Sequence, residues 1–247
     1  MGVKRPARSR GPSPSPRIEA DPTAPLALAV DTSSAVETLA VAQGDLVLAQ
    51  WHARRPKHRG ASLASTVEAI LAAVGRTLSD LSCASVVVGP GAFTGLRVGI
   101  ATLQGIASAR GIPVWGIEAL EGWAHAGTHD LVGVTLDARR DELYTGLFRR
   151  SEDGLETVRG LDLQTPQAWA EDLAAGVELV GDGARLHRAR LEEAVPGLRF
   201  AASSVVGPDL GPAALAAVKR ACAGEVGDPR EVSPLYLRRH DGTRTNT

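Results

Sequence analysis

With 247 residues, 44% of them hydrophobic, the chain is long enough for one large core or two modest lobes. A formal net charge of -1 excludes the electrostatic footprint of a stand-alone nucleic-acid or anionic-membrane binder. Cys83 and Cys222 are the only cysteines and lie far apart, which argues against a disulfide framework or a structural zinc site and fits a reducing, cytoplasmic compartment.

Residues 1–24 are rich in Pro, Ser and Arg, lack the apolar run of a signal peptide and are expected to form a disordered tail. No apolar run reaches transmembrane length, so no membrane partner is expected. Residues 25–127 read as a first lobe. Leu26-Ala27-Leu28-Ala29-Val30 is a buried strand ending at Asp31, followed by the turn Thr32-Ser33-Ser34 and strands over Val36 to Ala42 and Leu46 to Trp51. An aspartate at a strand end before a hydroxyl-rich hairpin turn suits two roles. It can hold a metal-bound phosphate, with Thr32 and Ser33 meeting phosphate oxygens, or it can close the turn on nearby amides.

A charged segment from His52 to Arg59 leads to a helix from Ala61 to Val74. Leu63, Val67, Ile70, Leu71 and Val74 form its apolar stripe, while Ala61, Ala64, Ser65, Glu68 and Ala72 share the other side. Val86-Val87-Val88 is a strand buried on both faces, and Gly89-Pro90-Gly91 turns it into a helix from Gly95 to Arg110 that Thr94 is placed to cap. The glycine spacing fits neither a P-loop, since Leu96 and Arg97 replace Lys-Ser/Thr, nor the G-x-G-x-x-G dinucleotide fingerprint. Ala101, Gly105, Ser108 and Ala109 line a nearly flat side of this helix, and its interior glycines Gly99 and Gly105 imply that another backbone comes close. Arg97 sits in the first turn, against the helix dipole, so an anion is expected to face it.

Residues 128–239 read as a second lobe whose C-terminal segment is a candidate to pack back on the first, and 240–247 as a frayed end. Leu131 to Leu136, Asp137, a polar turn over Ala138 to Asp141 and a strand from Glu142 to Phe148 repeat the order of Leu26 to Ala42. A helix from Pro166 to Ala174, a strand from Val177 to Val180 ending in Gly181-Asp182-Gly183, and a helix from Pro212 to Ala223 complete the reading.

Taken together, VDTSSAVETLAVAQG, KHRGASLASTVEAIL, VVVGPGAFTGLRVGIATLQGIA, IPVWGIEALEGWA, TLDARRDELYTGLF and PLYLR resemble the TsaB (YeaZ) family of bacterial tRNA threonylcarbamoyladenosine biosynthesis proteins. The resemblance implies a two-lobed actin-like α/β fold (ribonuclease H-like, of the ASKHA class) with a duplicated βββαβαβα-type core. It implies a non-catalytic scaffold that supports the related enzyme TsaD in N6-threonylcarbamoylation of the adenosine beside the anticodon, in tRNAs reading codons that begin with A. TsaD as heterodimer partner, TsaE and a second copy of the chain are the implied partners, with tRNA met only within the complex. The partner-binding residues would be Ala61, Ala64, Ser65, Glu68, Ala72, Arg97, Ala101, Gly105, Ser108 and Ala109. No catalytic residue, metal or cofactor is assigned to this chain; ATP and a metal ion belong to TsaD and TsaE. TsaD carries a His-x-x-x-His metal pair where this chain has Ala119 and Trp123. Asp31, Thr32, Ser33 and Asp137 would then be a degenerate nucleotide pocket, because the Gly-Thr pair and basic residue of competent actin-like ATPases are missing after Asp31. A glycoprotease-like metallopeptidase and a small ATPase or kinase of the actin-like class are the alternatives.

Overall fold

The computed structural model describes residues 20–54, 62–152, 154–202 and 206–237. Two five-stranded mixed sheets organise them. In the first, β1 (Leu26–Asp31), β2 (Val36–Gln43), β3 (Leu46–Arg54), β4 (Leu81–Gly89) and β5 (Val114–Glu118) lie in the order β3-β2-β1-β4-β5. In the second, β6 (Leu131–Arg139), β7 (Glu142–Ser151), β8 (Gly154–Gln164), β9 (Glu178–Val180) and β10 (Arg199–Phe200) run β8-β7-β6-β9-β10. The two orders are one topology. In each, the first three strands form an antiparallel meander and the fourth and fifth add in parallel through helical crossovers. The repeat seen at Asp31 and Asp137 therefore extends over whole lobes.

The helices are α1 (Leu63–Ala73), α2 (Phe93–Arg110), α3 (Ala119–Ala126), α4 (Pro166–Glu171), α5 (Asp182–Leu186), α6 (Arg188–Ala194) and α7 (Gly211–Cys222). They alternate with the sheets in five layers. α1 and α2 cover the outer face of the first sheet, α3 and α7 fill the space between the sheets, and α4 to α6 cover the outer face of the second. Strand β1 shows why the layers fit. Its leucines, Leu26 and Leu28, join the outer core, whereas Ala27 and Ala29 point inward with Ala40 and Ala42 of β2. Those alanines let α7 come close with its own small residues, Ala214 and Ala217, so the inner layer is packed by small-on-small contacts. α7 follows the second lobe in sequence yet lies on the first sheet, so both ends of the described chain build that lobe.

The segment after α7 continues across the first lobe. Gly227 C=O accepts the Val114 N–H of the β5 edge, Gln104 Nε2 of α2 donates to Pro229 and Val232 C=O, and Leu235 N–H donates to Val88 C=O of β4. Two sequence expectations are corrected in this region. β3 runs on through Arg54, replacing the first part of the charged loop expected from His52. β8 is a full strand in a stretch where none was read, because it is a largely exposed edge with charge on both faces and only a short apolar alternation, Leu161-Asp162-Leu163, near its end.

Candidate functional site

The turn after Asp31 at the end of β1 and the turn after β6, which runs two residues past the end expected at Asp137, meet at a cleft between the lobes. One wall is Ser33, Ser34 and Ala35 with Pro90, Gly91 and Ala92; the other is Leu136 to Arg139 with Tyr144 and Asp182. The walls are built alike. On the first, the Ser33 C=O accepts the Ala92 N–H at 2.6 Å, pinning the β1–β2 turn to the start of α2. Gly91 is required there, because a Cβ would stand 2.5 Å from that carbonyl oxygen. On the second, Gly181 takes φ +105 and its missing Cβ would overlap the Thr135 C=O. The neighbouring Asp182 accepts the Asp137 N–H at 3.0 Å.

Of the four pocket residues expected from the sequence, Ser33 and Asp137 line the cleft and Asp31 and Thr32 lie beneath it, both fully buried. Asp31 Oδ1 accepts the Ser33 N–H at 2.6 Å, closing its own turn. Thr32 Oγ1 donates to Gly95 C=O at 2.8 Å, tying the turn to α2. Asp137 Oδ2 lies 3.0 Å from Arg139 Nη1, and its Oδ1 accepts the Arg139 N–H at 2.8 Å. Sequence reasoning missed Arg139, Tyr144 and Asp182. Gly181-Asp182-Gly183, the counterpart of Gly89-Pro90-Gly91, was the available signal for Asp182. The cleft encloses about 130 Å³, less than half of the roughly 300 Å³ at the small end of small-molecule sites.

Ala119 and Trp123, at the start of and within α3, are 0% and 1% exposed in the core between the sheets. Among the described residues no group of three or more His, Cys, Asp or Glu is placed to hold a metal ion. His125 is on α3 but His129 follows it in the loop, where its Nδ1 meets Glu178 at 3.2 Å, and His58 lies outside the described residues.

The small faces of α1 and α2 are open to solvent. Ala64, Ser65, Glu68 and Ala72 are exposed on α1, and Arg97, Ala101, Gly105, Ser108 and Ala109 on α2; Ala61 lies outside the described residues. The opposite side of α1, Leu63, Val67, Ile70 and Leu71, is buried. The two interior glycines of α2 differ. Gly99 is needed within the chain, since a Cβ there would overlap the Thr32 hydroxyl, so a side chain and not another backbone comes close. A Cβ on Gly105 would meet nothing within 4 Å.

Two expectations for α2 are overturned. Its N-cap is Ala92, with no side-chain cap, and Thr94 lies inside the first turn. Among the described residues no carboxylate pairs with Arg97: its guanidinium carbon lies 3.7 Å from the Phe93 ring centroid and its Nε donates to the Tyr236 hydroxyl at 3.1 Å. Phe93 and Tyr236 stack with centroids 5.2 Å apart. An aromatic face supplies the electron density that a carboxylate was expected to provide.

These sheets, crossovers and paired turns define a two-lobed actin-like α/β protein. The family model of TsaD, tRNA N6-adenosine threonylcarbamoyltransferase, matches residues 55–192. The tRNA threonylcarbamoyladenosine biosynthesis protein TsaB of Bacillus subtilis is 30% identical over 171 residues, spanning 67% of this chain and 75% of that protein. An uncharacterized protein of Mycobacterium tuberculosis is 35% identical over 223 residues, 87% of this chain and 92% of its own length. A crystal structure of a Pseudomonas aeruginosa protein with similarity to peptidase YeaZ superposes with TM-score 0.71 at 26% identity, covering 87% of this chain and all (100%) of that one. The chain belongs to the TsaB family.

Proposed function

We propose that this chain is a non-catalytic subunit in the synthesis of threonylcarbamoyladenosine on tRNA, docking a TsaD-type enzyme through the exposed faces of α1 and α2. The observation that carries the reading is the state of Ala119 and Trp123. Where the resemblance places the metal-binding histidines of TsaD, these two side chains are packed into the core between the sheets at no more than 1% exposure. A small methyl and an indole buried in the core offer no metal ligand. The cleft supports the same reading. Asp137 is held by Arg139, Asp31 closes its own turn, and the cleft of about 130 Å³ lies below the usual range of small-molecule sites.

The metallopeptidase and kinase alternatives both need chemistry at these positions. No helix among the described residues is long and apolar enough to cross a membrane, and a cytoplasmic subunit is the corresponding expectation. Co-expression with the host's TsaD-type protein, followed by tagged purification and metal analysis, tests the proposal. The expected result is a stoichiometric complex whose metal follows the partner. Stoichiometric zinc or iron on this chain purified alone overturns it.

A further inference from the structure

The first sheet ends on β3, and its backbone bonds fix which groups that edge leaves open. Gly44 N–H donates to Pro25 C=O at 3.2 Å, so Thr38, Ala40 and Ala42 of β2 point their backbone groups at β1, and Glu37, Leu39 and Val41 point theirs at β3. The partners of these last three, Ala53, Trp51 and Ala49, are thereby used, and the N–H and C=O groups of Gln50, His52 and Arg54 face outward. Among the described residues no hydrogen bond reaches those groups. Trp51 stands beside them at 46% exposure, whereas Trp115, Trp123 and Trp169 are at most 5% exposed. An open edge carrying a half-exposed indole is a place for an added strand.

The chain enters the described structure at the foot of this edge. Ala24 N–H donates to Asp21 C=O at 3.1 Å, closing a reverse turn, and Gln43 Nε2 beside the β2–β3 hairpin holds that turn through the C=O groups of Pro22 and Ala24. A reverse turn just before β1 sends the preceding residues back antiparallel to β1, which is also antiparallel to β3. Gly11 to Glu19 supply as many residues as the 9 of β3, and Pro12, Pro14 and Pro16 alternate within them. Proline has no N–H and can join a ladder only where its nitrogen faces away, and it holds the residue before it extended. With Glu19 set opposite Leu46 and Gly11 opposite Arg54, the three prolines fall opposite Ala53, Trp51 and Ala49, where no donor is needed. Ser13 and Ser15 fall opposite His52 and Gln50, whose groups are open.

We propose that residues 11–19 add to β3 as a sixth, antiparallel strand, with Pro14 laid on the Trp51 ring. The prolines then leave the outer side of the new strand without donors at alternate positions, which closes the sheet to further addition. A second copy also carries an open β3, but residues 11–19 are tethered at the foot of the edge. A short tether gives a local concentration on the order of millimolar, which a second molecule at micromolar concentration does not match. The inference is independent of the docking reading above.

Hydrogen exchange of the full chain is followed residue by residue by NMR, with acrylamide quenching of tryptophan fluorescence alongside, for the wild type, Pro14→Ser and the double variant Ser13→Pro/Ser15→Pro. The double variant keeps the segment extended but removes its two central donors. The amides of Gln50, His52 and Arg54 should exchange about tenfold or more slowly in the wild type than in the double variant, and Pro14→Ser should stay near wild type. Quenching should rise in the double variant as Trp51 is uncovered. The amides of Ala49, Trp51 and Ala53, bonded to β2, should be slow throughout and report that β3 itself is intact. Fast exchange of Gln50, His52 and Arg54 in the wild type overturns the inference. So does slow exchange that survives in the double variant, since another segment would then cover the edge. Protection that appears only at raised protein concentration, with a dimer in sedimentation, makes a second copy the occupant and overturns it as well, as does protection seen only when the TsaD-type partner is added.

Discussion

Replacing Gly105 by arginine separates folding from docking. Gly105 lies in the exposed middle of α2, and space for a side chain is open around it within the chain. Arginine is a good helix former, so relief of the glycine penalty should stabilise the monomer by about 0.8 kcal/mol. For a chain of this size that is a rise in melting temperature of about 2–3 °C. The same side chain would project from the middle of the proposed docking face and hold a partner helix off. Loss at a central interface position is on the order of 2 kcal/mol or more, about a thirtyfold weaker Kd. Differential scanning calorimetry of the chain alone and titration against the TsaD-type protein give the two numbers. A raised melting temperature with unchanged affinity would refute the assignment of the face, and a lowered melting temperature would refute the open surroundings of Gly105.

Other consequences concern the turn and its surroundings. Gly99→Ala should cost about 1–3 kcal/mol because its methyl overlaps the Thr32 hydroxyl, and adding Thr32→Ala should recover part of that loss; urea titrations of both singles and the double give the coupling, and simple additivity would contradict the contact. Burial is the main influence on His125 and lowers its pKa from the ordinary 6.5, with Asp209 pulling it up and Arg150 pushing it down. The unfolded chain therefore binds this proton first, so His125 withdraws stability as pH falls through 6.5, and His125→Gln should shallow the loss of melting temperature between neutral and mildly acid pH. Burial pushes the Cys83 thiol up to about 12, whereas Cys222 is exposed. Iodoacetamide under native conditions should modify Cys222 alone, as read by peptide mass spectrometry, and labelling of Cys83 would contradict the packing of α7 on β4.

The duplication was legible because a strand, an aspartate, a polar turn and a strand recur at Leu26 and Leu131, and a period of that kind survives in sequence when the backbone plan does. The alternating leucines and alanines of β1 also carried the two faces of the sheet. Contacts between distant parts of the chain did not show. Arg97 and Tyr236 are 139 residues apart, so their hydrogen bond was not readable locally; the Phe93 ring under the guanidinium is only four residues away on the same helix, and the dipole argument that predicted an anion did not weigh that i,i+4 aromatic neighbour. α7 read as a helix of the second lobe for the same reason, since nothing local to Gly211–Cys222 says which sheet it lies on. β8 escaped notice because it is a largely exposed edge strand on which only Leu155 and Leu161 pack against the core, too few to mark a period. At the cleft, Asp31 and Asp137 were visible as strand-end carboxylates, but their engagement with Ser33 and Arg139 depends on backbone geometry that only the folded turns supply.

The central claim is that this polypeptide supports a reaction carried out by another. Threonylcarbamoylation of tRNA is assayed by mass spectrometry of digested nucleosides with the host's TsaD-type protein and remaining components, in the presence and absence of this chain, and with this chain as the only protein. Modified adenosine should form with the complete mixture, fall to background when this chain is left out, and be absent when it acts alone. Undiminished product without it, or product from it alone, contradicts the account.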